Sequence, residues 1–159
     1  MNQFKKISYV CLIIPLVCSL AEIALAQRKS FDDLILAVEA DRVEGVVTGN
    51  TGGSYSLASI TNRDRQGNPC MGYGDPQPDH IVTLKGNFKR LTWQIDSRGS
   101  DTTLLVKNID NNYVRCGFGS GSSKDAVIQD GKWSAGTYHI WVGSMSPNQR
   151  SSYRLSIEP

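Results

Sequence analysis

The chain has 159 residues, with 17 basic and 15 acidic side chains, two histidines and a net charge of +2. So balanced a charge offers no field to draw in nucleic acid or an anionic lipid surface. Fifteen glycines and an aromatic content of 8% suit a sheet protein with many turns.

Lys5 and Lys6 open the chain, an apolar run extends from Ile7 to Leu20, and Ala24-Leu25-Ala26 is a small-x-small pattern. Together they predict a signal peptide over residues 1–26, cut after Ala26. The run is shorter than the roughly 20 apolar residues that cross a bilayer, and Glu22 lies just past it. Val17, ahead of Cys18, is not the small residue that a lipoprotein signal needs. The mature chain would then be Gln27 to Pro159, enough for one compact domain. Loss of Lys5, Lys6 and Glu22 leaves 15 basic and 14 acidic residues, a net of +1. No membrane span is expected after cleavage, and the protein is expected to be periplasmic or secreted. Cys11 and Cys18 leave with the signal. In an oxidising compartment Cys70–Cys116 is then the one internal disulfide available, with free thiols as the alternative. The cysteines and histidines show no zinc spacing.

Residues 27–41 are ambiguous. Phe31, Leu34, Ile35, Ala37 and Val38 follow a loose helical spacing, which predicts an N-terminal arm or short helix. Residues 42–159 change character. Arg42 to Val47 reads as a strand, Thr48 to Gly53 as a glycine-rich turn, and Ser54 to Ile60 as an alternating strand. Thr61 to Pro78 is a long polar loop that a disulfide would anchor. His80 to Leu84 is a strand. Phe88 to Asp96 carries the clearest alternation, with Leu91, Trp93 and Ile95 on one face. Thr102 to Val106 and Tyr113 to Cys116 form a hairpin through Asp110-Asn111-Asn112. Ala126 to Ile128 is a short strand before an Asp130-Gly131 turn. Thr137 to Val142 and Ser152 to Ile157 are the last two. Seven to nine short strands without intervening helices predict an all-β fold, a mostly antiparallel, jelly-roll-like β-sandwich.

Four stretches carry a family resemblance. They are Cys70-x-Gly72-Tyr73 with Pro78-Asp79-His80, Asp101 to Val106, the strand ending at Cys116, and Gly136 to Gly143 with Tyr153 to Ile157. In order and spacing, from about Gly45 to Ile157, they resemble the bacterial pre-peptidase C-terminal domain. The resemblance implies a jelly-roll-like sandwich, no catalytic activity, and a role in secretion, localisation or polymer binding beside secreted hydrolases. Some members of the family bind calcium. Here Gly117-Phe118 stands where an acidic pair often follows the second cysteine.

Calcium wants six to eight hard oxygens, and Asp79 and Asp101 with loop carbonyls are the candidate set. The same aspartates also serve as ordinary turn residues. No cofactor is otherwise implied. His80 and His139 lack a G-x-S-x-G elbow or any other nucleophile seat, so no catalytic residues are assigned. Trp93 shares the parity of Leu91 and Ile95 and reads as core. Tyr73, Tyr113, Phe118, Trp133 and Trp141 are the candidate rings of a ligand surface, with plugging of the sandwich ends as the alternative. The expected function is a non-catalytic exported binding or accessory module for an envelope or extracellular protein or polysaccharide. A calcium-stabilised structural domain and a small secreted hydrolase are the alternatives.

Overall fold

The computed structural model describes residues 34–36, 45–120 and 122–159. The expected signal peptide lies outside the described residues, as does most of the expected arm or helix. Of that arm, Leu34–Leu36 forms strand β1. It runs parallel to β5, His80–Leu84, with Leu34 opposite Val82. These three residues are therefore extended rather than helical, because the edge of β5 supplies ladder partners that an isolated helix turn would lack.

The other strands are β2 Gly45–Asn50, β3 Tyr55–Ser56, β4 Tyr73–Gly74, β6 Phe88–Asp96, β7 Thr102–Asn108, β8 Val114–Phe118, β9 Val127–Trp133, β10 Gly136–Ser144 and β11 Ser152–Glu158. They form an all-β, mostly antiparallel sandwich. One sheet has seven strands, with β10 at its centre, flanked by β5 and β4 on one edge and β7 on the other. The second sheet has four, in the order β2-β11-β6-β9. Among the described residues no helix is long and apolar enough to cross a membrane.

Alternation in the strands builds the core between the sheets. Val82, Leu84, Leu104, Val106, Ile140 and Val142 from the seven-stranded sheet meet Leu91, Trp93, Ile95, Leu155 and Ile157 from the other. Each such side chain contributes about 1.5–3 kcal/mol by leaving water. Trp93 stacks on Trp133 at 5.0 Å between ring centroids, and Tyr138 leans on Trp133 at 5.6 Å.

A second apolar cluster lies on the outer face of the seven-stranded sheet. Leu105 and Trp141 have the opposite parity to Leu104 and Val142, and they pack with Leu57, Cys70, Val114 and Cys116. The expected strand from Ser54 to Ile60 stops after Ser56 for this reason. The chain turns into a 3-10 turn, Leu57–Ser59, which drops Leu57 onto that cluster with no exposed surface. The disulfide Cys70–Cys116, Cα atoms 5.2 Å apart, ties the following loop to β8. Asp64 adds to the tie, accepting the Cys116 N–H at 3.2 Å.

The open edge between the sheets is closed by Arg115. Its side chain points inward from β8 and is 5% exposed. Its Nε donates to Asp130 of β9 at 2.6 Å, and its Nη2 donates to the carbonyls of Gly131 and Lys132. The guanidinium also lies 3.7 Å from the centroid of a Trp133 ring. Asp130-Gly131 is thus part of a strand and not the expected turn, since Asp130 and Gly131 pair with Leu91 and Arg90 of β6.

Two measurements check this account. Removing the disulfide with Cys70→Ala and Cys116→Ala should lower unfolding stability by about 2–4 kcal/mol in a urea titration. Arg115→Ala should cost about 2 kcal/mol or more, because it removes the charged hydrogen bond to the partly buried Asp130 and the packing on Trp133. A loss below 1 kcal/mol in that variant would show that the edge does not depend on the pair.

Candidate functional site

The two outer faces of the sandwich differ. The loop and disulfide cover much of the seven-stranded sheet. On the four-stranded sheet the outward positions are mostly polar, with Val46 and Val127 exposed among them, and at one end of the sheet they are all polar and exposed. They include Thr48 and Asn50 of β2, Ser152 and Arg154 of β11, and Asp96 of β6. Register brings Arg154 between Thr48 and Asp96. At this end of the sheet lies a groove of about 870 Å³, walled by these residues and by Arg98 in the turn after β6.

The groove has a shaped floor and a fixed rim. Gly49 faces inward, and a Cβ there would strike the Tyr153 ring. Ser152 Oγ donates to Asn50 Oδ1 at 2.8 Å, which sets the amide. The turn Ser97 to Ser100 forms the rim. Arg98 has φ 57° and Gly99 φ 95°. An arginine seldom adopts the left-handed region. Asp96 Oδ1 accepts the Arg98 N–H at 3.2 Å, Ser97 Oγ donates to the Ser100 carbonyl at 2.9 Å, and Asp125 Oδ1 accepts the Ser97 N–H at 2.9 Å. These bonds hold the turn in place.

The expected site residues are not gathered there. Trp133 was expected in a ligand surface but is buried, 1% exposed. The left-handed Lys132, φ 60°, breaks the alternation of β9 and aims Trp133 into the core. Trp141 is also buried, under the loop, with its Nε1 donating to the Pro76 carbonyl at 3.4 Å. Tyr73 is half-buried in β4. Tyr113 is half-buried against the guanidiniums of Arg65 and Arg115, 4.6 and 4.3 Å from its centroid. Phe118 is exposed at the end of β8, beside a smaller pocket of about 250 Å³ with Val127 and Gln129. These five rings make no shared platform.

Asp79 attaches to β10 and Asp101 to Met145 just past its end. Asp79 is buried and extends the β5 ladder. Its N–H donates to the Ile140 carbonyl at 2.8 Å, and its Oδ2 accepts the Val142 N–H at 2.7 Å. The carboxyl thus takes the place of a strand carbonyl just ahead of the start of β5. Asp101 is exposed, and its carbonyl accepts the Met145 N–H. Among the described residues no group of three or more His, Cys, Asp or Glu side chains is placed to hold a metal ion.

The histidines are also apart. His80 is sealed in the core, with Nε2 and Tyr153 Oη sharing a hydrogen bond of 2.8 Å. Burial pushes the Tyr153 hydroxyl well above its ordinary value, and the charge of Asp79 adds to the rise. His139 is half-buried on the outer face of β10. Partial burial, then the nearby Lys107 charge, hold it below its ordinary value. Neither is placed against an open substrate space.

Arg98, Arg154 and Asp96 were not singled out by sequence reasoning, which followed aromatic rings. The available signals were the outward parity of Arg154, between Tyr153 and Leu155, and an arginine ahead of Gly99 in a tight turn.

No known protein family and no curated protein matches this sequence. Two solved structures are similar in fold. One is the pre-peptidase C-terminal domain of a collagenase from Bacillus anthracis, at 13% identity and TM-score 0.46, covering 79% of this chain and 94% of that one. The other is PliG of Aeromonas hydrophila, a periplasmic inhibitor of g-type lysozyme, at 12% identity and TM-score 0.43, covering 80% and 96%. The first is a distant structural match to the family that the sequence motifs resemble. At this similarity neither assigns a ligand or an activity.

Asp79 carries a pH signature. Burial raises its carboxyl from 3.8 to about 7, against the lowering effect of the Val142 hydrogen bond and with a further rise from Asp75. Between these two values the native chain holds a proton that the unfolded chain has released. Stability from this group is therefore full below about pH 4 and is lost as pH rises through about 7. Asp79→Asn keeps an oxygen for Val142 and cannot ionise. It should flatten this part of the profile in urea midpoints at pH 4.5, 6 and 7.5. An unchanged slope would assign the effect to another group.

Proposed function

We propose that this protein is a non-catalytic, exported binding module whose recognition face is the open side of the four-stranded sheet. The observation that carries the reading is the groove of about 870 Å³ at the end of that sheet, rimmed by hydrogen-bonding side chains on a rigid ladder. Ligand sites are concave, largely preformed and furnished with a few placed polar groups. The opposite outer face is occupied by the chain's own disulfide-tied loop, so it presents less free surface.

A binding role also fits the placement of the titratable groups. His80 has no solvent access, and the groove holds one carboxylate, Asp96, with no histidine or cysteine beside it. Acid–base or nucleophilic catalysis needs a positioned pair within hydrogen-bond reach of substrate. The intact disulfide supports an oxidising compartment, periplasm or medium, as the place of work. The partner is an envelope or extracellular polymer, and the wall of short polar side chains reads it by hydrogen bonds.

The test is capture of envelope and culture-medium polymers on immobilised protein. Wild type and Lys85→Glu, in a turn away from the groove, should retain the same material. Arg154→Glu should lose at least nine-tenths of it with its melting temperature kept. Equal retention by Arg154→Glu would remove the groove as the recognition face. Hydrolytic turnover that disappears in a folded His139→Ala variant would overturn the non-catalytic reading.

A further inference from the structure

The groove is specific in its chemistry. Two arginines, Arg98 and Arg154, are among its lining residues. The only ion pair among the described residues is Arg115–Asp130, so neither groove arginine is neutralised by a carboxylate within salt-bridge distance. Arginine presents a planar fork of donors that matches a carboxylate. Around the pair stand hydroxyls and an amide, from Thr48, Ser152 and Asn50, which suit sugar hydroxyls. Asp96 adds one acceptor for a hydroxyl donor, in register beside Arg154.

From these contacts we infer that the groove binds an acidic polysaccharide, with the carboxylate of a uronic acid unit held by Arg98 and Arg154 and its hydroxyls read by Asn50, Ser152 and Asp96. The inference rests on the groove being the recognition face and names the ligand class that it takes.

Three features select this class. A protein partner anchors on buried aromatic or long aliphatic side chains, and the lining offers no exposed one. A polyphosphate chain would place dense negative charge against Asp96, and the chain has too small a net charge to offset it. A uronic acid unit sets one carboxylate among neutral hydroxyls, as the groove sets its two arginines among neutral polar groups. The left-handed Arg98 points the same way. Glycine or asparagine would fill that turn position with less strain. An arginine there puts a guanidinium at the groove at the cost of backbone strain, and the Ser97–Asp125 bond holds the strained turn from behind.

Arg98→Gly is an informative variant, because it removes the cation and relieves the backbone. Isothermal titration would use three probes: α-1,4-linked hexagalacturonate, maltohexaose and hexaglutamate. Wild type should bind hexagalacturonate at least tenfold more tightly than either other probe, with affinity falling as salt rises. Arg98→Gly and Arg154→Ala should each weaken that binding at least tenfold. Arg98→Gly should keep or raise the melting temperature, and Lys85→Ala should bind as wild type. Equal binding of maltohexaose or hexaglutamate, or no loss in the two arginine variants, would overturn the inference. If hexagalacturonate does not bind while Arg154→Glu still abolishes polymer capture, the acidic-glycan inference falls and the recognition face stands. If that capture is unaffected, the recognition face falls as well.

Discussion

Two packed sheets have four faces, and this chain buries apolar clusters on three of them. Leu105 and Trp141 sit opposite in parity to Leu104 and Val142, so the central strands β7 and β10 are apolar on both sides. An uncovered outer face there would leave an indole and a leucine in water, an apolar patch of the sort that promotes association. The chain instead folds Leu57 and the loop to Cys70 over it. Burying the third face fixes the path of the loop and the site of the disulfide, and among the described residues it leaves the outer face of the four-stranded sheet the more open one.

That constraint orders the rest. The disulfide joins the loop to β8, and Asp64 reinforces the join through the Cys116 N–H. From the other side of β8, Arg115 reaches Asp130 and Trp133 and draws the second sheet to the first. Asp130 is held below its ordinary carboxylate value: its partial burial pushes up, and the Arg115 hydrogen bond and charge with the Gly131 N–H pull down further. Neighbouring residues of one strand thus serve two layers, Cys116 outward and Arg115 inward. The polar groove follows at the far end of the second sheet, where the strands β2, β11 and β6 need no cover.

Much of the strand pattern was legible in the sequence. Phe88 to Asp96 has the expected ends, because from Leu91 onward one apolar and one wet face produce a period of two. The hairpin around Asp110 to Asn112 is legible through its turn residues, and Asn108 Oδ1 accepts the Asp110 and Asn111 N–H groups there. The signal was weaker where a residue's surroundings come from distant chain. Leu34–Leu36 belongs to a segment readable as an arm or a short helix, and it is extended, since β5 supplies its partners. Ser54 to Ile60 alternates and yet turns after Ser56, since the second cluster draws Leu57 in. Trp133 stands among polar neighbours and is core, since a left-handed Lys132 turns it inward.

By itself the sequence determined the all-β class, most strand positions and the Cys70–Cys116 pairing. These depend on local alternation, on turn chemistry and on a cysteine count, all of which can be read along the chain. Only the tertiary structure decided which aromatic rings are hidden, which sheet face stays open and that Arg98 and Arg154 share a groove. Those facts depend on register between β11 and β6 and on a turn that leads from one sheet to the other. A period of two tells which residues share a face of one strand, but whether that face meets water depends on what the rest of the chain lays over it.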